Sequence, residues 1–184
     1  MNKIFYQGDL DGTCFLYCLV NSLSKLNKTY SREDIEKYWV MNISKIPHVR
    51  DYLNASRGTI YLDNKDSQLL KFCNQFFNQG VKNKKKYLIS FVTIKSKTEI
   101  LNYLGKNTVI ILDMEKGNHW ECIVGKSSNN RFIYGICSLQ SSKPIRAKCE
   151  KLMNERIAYN KKIDLNKIRL TNISNQRIIL ITKI

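Results

Sequence analysis

The chain has 184 residues, 43% of them hydrophobic and 10% aromatic, and carries 31 Lys and Arg against 15 Asp and Glu for a net charge of +16. This length and composition suit one globular domain, exclude a disordered chain, and contain no stretch of about 20 apolar residues able to cross a membrane. The charge points to a polyanion as partner, nucleic acid or an acidic protein, or else to a solvated basic face.

In chain order, the first regular element is CFLYCLVNSLSKL, which opens at Cys14 after Asp11-Gly12-Thr13. Its apolar positions fall along one broad face, as in a helix largely buried in the core. Ser31, with Asp34 three residues on, forms a capping-box pattern that predicts a second helix over about Arg32 to Met41. Pro47 and Gly58 break the stretch from Ile43 to Tyr61, and a third helix is expected from about Lys65 to Asn78, closed by Gly80. The character then changes. KYLISFVTI (86–94) reads as a strand, Ser96 to Leu104 as a short helix stopped by Gly105, and 107–114, 119–125 and 131–138 as successive strands. A basic helix over Ala147 to Tyr159 and a last strand, QRIILITKI, complete the expectation. Helices first and an antiparallel sheet after is an α+β order in a single domain over 1–184, with a helical part of about 1–80 and a sheet part of about 86–184.

Six cysteines (Cys14, Cys18, Cys73, Cys122, Cys137, Cys149) sit at no metal-like spacing, mostly within apolar runs such as KFCNQFF. They read as reduced thiols, five of them packing residues, and no metal or cofactor is expected. No apolar run of signal-peptide length opens the chain, so a cytoplasmic protein without membrane contact is expected. One cysteine differs from the rest. Cys14 falls where its helix begins, and the positive end of a helix with its unpaired N–H groups favours a thiolate. Cys18, one turn further in, faces the core. Of the two histidines, His48 lies beside Pro47 in an irregular basic stretch, whereas His119 opens a strand after a Gly-Asn turn. A base at the mouth of a strand can face a thiol at the head of a helix.

QGDLDGTCFLYCLVNSL resembles the active-site segment of papain-like cysteine peptidases, and NHWECIVG followed by RFIYGICS is similar to their His strand and the strand after it, particularly in bacterial C39-like peptidases. The resemblance implies a papain-like α+β fold with Cys14 as nucleophile, His119 as base, and Gln7 with the Cys14 N–H holding the oxyanion. Gln7 and Cys14 are seven residues apart, one more than in papain, and Phe15 follows the nucleophile where papain has Trp. The family's Asn or Asp, on the strand after the His, falls near Cys137 or Ser138. A second branch, the OTU deubiquitinases, matches differently: Asp11-Gly12-Thr13-Cys14 resembles their Asp-Gly-Asn-Cys, and His119-Trp120-Glu121 their His-Tyr-Asp/Asn. That match makes Asp11 an organiser of the oxyanion loop and Glu121 the carboxylate that orients the His. Thiol-dependent hydrolysis of a peptide, isopeptide or related amide bond in a protein or peptide substrate is the activity implied. A catalytically inactive papain-like module binding an acidic protein or nucleic acid is the alternative, and acyl transfer or deamidation would use the same groups. From Lys143 to Arg169 nine Lys and Arg face Glu150, Glu155 and Asp164, but Tyr159 alone interleaves them, so base stacking is not expected.

Overall fold

In the computed structural model the described residues are 4–5, 14–43, 66–78, 87–114, 119–138, 148–153, 155–168 and 176–184. Gln7, Asp11 and His48 lie outside them, as do the lysines at 82 to 86.

Helix α1 (Cys14–Leu26) is buried along its whole length except at Tyr17. Phe15, Leu16, Leu19 and Leu23 are essentially without exposure, and each contributes roughly 1.5–3 kcal/mol by leaving water. A helix with so little solvent face must satisfy its polar groups internally. Asn21 does so by accepting from the Phe5 N–H (2.9 Å) and donating to the Phe5 carbonyl (3.0 Å), and Lys25 Nζ donates to the Lys106 carbonyl (2.7 Å). Lys183 Nζ reaches the Leu26 carbonyl, one of the acceptors a helix C-terminus leaves over (2.7 Å). Helix α2 (Arg32–Ile43) opens on the expected box: Asp34 N–H donates to Ser31 Oγ (3.1 Å), and Ser31 N–H to Asp34 Oδ2 (2.8 Å). Helix α3 (Asp66–Asn78) packs through Leu69, Phe72, Cys73, Phe76 and Phe77, with Tyr38 of α2 edge-on to Phe76 at 5.0 Å.

The strands are β1 (Tyr87–Ile94), β2 (Thr108–Met114), β3 (His119–Lys126), β4 (Phe132–Ile136), β5 (Lys148–Leu152), β6 (Glu155–Tyr159), β7 (Lys161–Asp164) and β8 (Gln176–Lys183). Between β1 and β2 lie a 3-10 turn, Lys97–Glu99, and the short helix α4 (Ile100–Tyr103). Six strands form one sheet in the order β1-β8-β2-β3-β4-β7, every pairing antiparallel, and β5 pairs with β6 in a hairpin of their own. The described chain is therefore α+β.

Both faces of the sheet are covered, which explains why its inner strands read as unbroken apolar runs. Val109, Ile111, Trp120, Cys122, Val124, Ile179 and Ile181 pack on the helical side. Ile110, Leu112, Ile123, Ile133 and Ile178 pack on the other, under Ile94, Ile100, Leu101, Leu104, Leu165 and Ile168. The last strand enters the middle of the sheet because Ile178, Ile179 and Ile181 have a buried side to fill on either face.

The helix expected over Ala147 to Tyr159 is instead the β5–β6 hairpin. Leu152 pairs with Glu155, so two residues make the turn, and Met153 takes φ of 50°, the left-handed value such tight hairpin turns require. Lys, Glu, Leu and Met favour a helix locally, but burial decides. Ile157 is fully buried in the main core, and Tyr159 packs against Tyr134 with its ring tilted, centroids 4.6 Å apart. Strand β7, absent from the sequence expectation, pairs along β4 from Phe132↔Asp164 to Gly135↔Lys161.

Candidate functional site

Cys14 is the first residue of α1 and is buried. The following residue, Phe15, meets Trp120 edge-on at 5.3 Å, and Trp120 follows His119, the first residue of β3. The head of the helix therefore packs against the mouth of the His strand. About two turns into α1, Ser22 Oγ donates to the Cys18 carbonyl (2.6 Å) and lies 3.4 Å from Cys122 Sγ, which fixes the helix on β3.

Side chains alternate across a strand, so His119 and Glu121 share one face of β3 with Ile123, while Trp120 and Cys122 face α1. Cys137, just past β4, follows the parity of Ile133 and Gly135 and joins the His119 face. His119 Nε2 stands 3.2 Å from Cys137 Sγ and 3.9 Å from Glu121 Oε1. The first distance is a contact between ring nitrogen and thiol; the second is too long for a hydrogen bond. Nε2 thus meets Cys137, in the region where the resemblance placed the family's Asn or Asp.

Glu121 is the most deeply buried of these groups, at 0% exposure. Its Oε1 accepts from Lys161 Nζ on β7, while Oε2 has no hydrogen-bond partner among the described residues. Lys161 reaches it past Gly135, which stands between Ile123 and Lys161 in the sheet register. A Cβ on Gly135 would lie 3.6 Å from Oε2, so glycine keeps that side of the carboxylate open. The residue before Lys161, Asn160, holds Cys137 in place. Its Oδ1 accepts from the Cys137 N–H (2.8 Å), and its Nδ2 donates to the Cys137 carbonyl (2.7 Å). Where β4 ends, this side chain replaces the ladder for one residue.

Burial pushes the Cys18 thiol far up from its ordinary value, and Cys122, Cys14, Glu121 and Cys137 add to the effect in that order. Burial likewise raises Cys73 and pushes Cys122 up to about 12, although the Ser22 hydroxyl opposes the latter. These three thiols are packing residues held in their protonated form.

Of the sequence-predicted site residues, the structure brings His119 and Glu121 together on β3 and places Cys14 at the head of the helix that packs on that strand through Phe15 and Trp120; Gln7 and Asp11 fall outside the described residues. Sequence reasoning passed over Cys137, Asn160 and Lys161. Cys137 carries a signal, since the resemblance puts the family's third member near it, although its apolar surroundings read as packing. Asn160 and Lys161 carried none, because β7 had not been foreseen. Among the described residues, no helix is long and apolar enough to cross a membrane. No family model, no curated protein and no solved structure matches this chain.

Proposed function

We propose that the chain is a papain-like thiol hydrolase that cleaves a peptide, isopeptide or related amide bond, with Cys14 as nucleophile and His119 as proton carrier. The observation that carries the reading is the crowding of Cys137 and Glu121 at one nitrogen of His119, Nε2, on the strand whose Trp120 packs against Phe15 of the Cys14 helix. A catalytic imidazole uses one nitrogen for orientation and the other for proton exchange with the nucleophile. Here orientation belongs to Nε2, which assigns proton exchange to Nδ1. Cys137 takes the place of the family's Asn or Asp, and Asn160 fixes Cys137. The helix N-terminus favours the Cys14 thiolate and supplies its backbone N–H to the developing oxyanion. Gln7 completes that hole, as the resemblance implies.

The alternative, a non-catalytic module that holds an acidic protein or nucleic acid, draws on the net charge of +16 and on the thiol standing where a stronger acceptor is usual. One experiment separates the two. The protein is treated with a limiting electrophilic amide at neutral pH, and each cysteine is followed by mass spectrometry. Cys18, Cys73 and Cys122 serve as slow internal references because burial keeps them protonated. Cys14 is expected to label first, and His119→Ala to slow it by roughly 100-fold, the lower range of a positioned base. Cys14 labelling no faster than the reference thiols, or an unchanged rate in His119→Ala, would exclude the hydrolase. Cys137 labelling first would move the nucleophile to the other side of the ring.

A further inference from the structure

We infer that His119, Cys137 and Glu121 form a binding site for a thiophilic divalent cation of the zinc class, built where the start of β3 meets the end of β4. A ring nitrogen, a thiol sulfur and a carboxylate oxygen from these residues all lie within 4.8 Å of one another, and all three side chains are buried. A tetrahedral zinc ion with ordinary bond lengths, near 2.3 Å to sulfur and 2.0–2.1 Å to nitrogen or oxygen, sets neighbouring ligands about 3.4–3.6 Å apart. The separations from Nε2 are 3.2 Å to Cys137 Sγ and 3.9 Å to Glu121 Oε1. The nitrogen–sulfur separation is close to that geometry; Oε1 is held by Lys161, which leaves the unpartnered Oε2 as the carboxylate's donor to an ion.

A second observation points to a ligand independently of the clustering. Glu121 Oε2 is wholly buried and has no hydrogen-bond partner among the described residues. Leaving a buried carboxylate oxygen unpaired costs free energy that a metal bond would recover. The donor set selects the ion. Magnesium and calcium want oxygen throughout, whereas mixed nitrogen, sulfur and oxygen donors suit zinc and the metals close to it. Three protein ligands leave one coordination position for water or substrate.

The supporting groups are also those a metal site uses. Asn160 grips the backbone of Cys137 through both its donor and its acceptor, and Lys161 holds Glu121 Oε1. On binding, the Cys137 thiol releases its proton to solvent and the thiolate, imidazole and carboxylate bind the cation, so no electron is transferred. Nothing in this chemistry needs Cys14, and the inference stands apart from the hydrolase reading. Where both hold, the ion fixes Nε2 and competes with a proton for His119, which makes it a reversible inhibitor of Cys14.

The test uses the full chain, stripped by a chelator and titrated with cobalt(II) as a coloured substitute for zinc. The expected result is a thiolate-to-cobalt charge-transfer band that saturates at one ion per chain and is displaced by zinc. Cys137→Ser should abolish the band, and Glu121→Gln should weaken binding more than the roughly 10–100-fold that loss of a merely supporting group costs. Cys14→Ala should retain the band at full strength. No band in the wild-type protein would overturn the proposal, whatever the variants do. A band lost in Cys14→Ala but kept in Cys137→Ser would overturn it too, because the ion would then sit at the helix start. Circular dichroism of each variant confirms that the fold is present when the band is read.

Discussion

The pair between Lys161 and Glu121 leaves this fold sensitive to a single substitution. Glu121 has 0% side-chain exposure and Lys161 39%, so the anion depends on the cation much more than the reverse. Lys161→Met removes the ammonium and keeps most of the side chain's bulk. Breaking a buried ion pair from one side costs about 3–5 kcal/mol, and water entering from the exposed side of Lys161 trims that to about 2–3 kcal/mol here. At about 2–4 °C per kcal/mol for a chain of this length, the melting temperature should fall by about 4–12 °C. The control is Glu121→Leu combined with Lys161→Met. With both charges gone, the leucine joins Ile123 and Ile133 on an already apolar face, and the double variant should lie within about 1 kcal/mol of the wild type. Urea unfolding followed by tryptophan fluorescence reads both, since Trp120 is buried against Phe15. If Lys161→Met loses less than about 0.5 kcal/mol, the pair behaves like a surface ion pair and the argument fails. If the double variant is less stable than Lys161→Met, Glu121 supports the fold by some route other than this pair.

Asn160→Ala should cost about 2–4 kcal/mol, because it strands a buried N–H and a buried carbonyl of Cys137 at once. It should also slow the labelling of Cys14 by releasing Cys137 from His119; a stability loss with unchanged labelling would separate the two residues. Ser31→Ala should lower stability by about 1 kcal/mol in a urea titration, the usual worth of an N-cap. Asp34 is held below the ordinary carboxylate range, first by the Ser31 N–H and then by the Ser31 hydroxyl. Its support for α2 is therefore complete above the usual carboxylate pKa of about 4 and is lost as pH falls through the depressed value. The difference between wild type and Ser31→Ala should accordingly shrink in strong acid, and a difference that grows there would contradict the box.

What could be read from the sequence was what is local. The Cys14 helix, the Ser31–Asp34 box and the strands from Tyr87 to Ile136 each carry their period or cap within a dozen residues, and the structure has them in place. The Ala147–Tyr159 segment misled because its helix-favouring residues are overruled by Ile157 and Tyr159, whose burial depends on strands far away in the chain. The same limit hid the partners of the site. That Cys137 meets His119 is set by the register of β3 on β4, and that Lys161 meets Glu121 by a glycine in the strand between them. No spacing along the chain encodes either fact.

The choice of groups around His119 has a consequence for what the site can do. A thiol at Nε2 is a weaker acceptor for the ring N–H than a carboxylate would be. A carboxylate is present in Glu121, but it stands 3.9 Å away and its near oxygen is taken by Lys161. The imidazole thus touches the thiol and stands away from the carboxylate. A neutral imidazole can take the proton of Cys14, and it is also the form that binds a metal. The two proposals therefore draw on the same protonation state and differ in which nitrogen is engaged, Nδ1 for the thiol of the helix and Nε2 for the ion. Labelling of Cys14 with and without one equivalent of zinc follows directly: if the ion sits on Nε2, it should suppress the labelling in the wild type and leave the slow residual rate of Cys137→Ser unchanged.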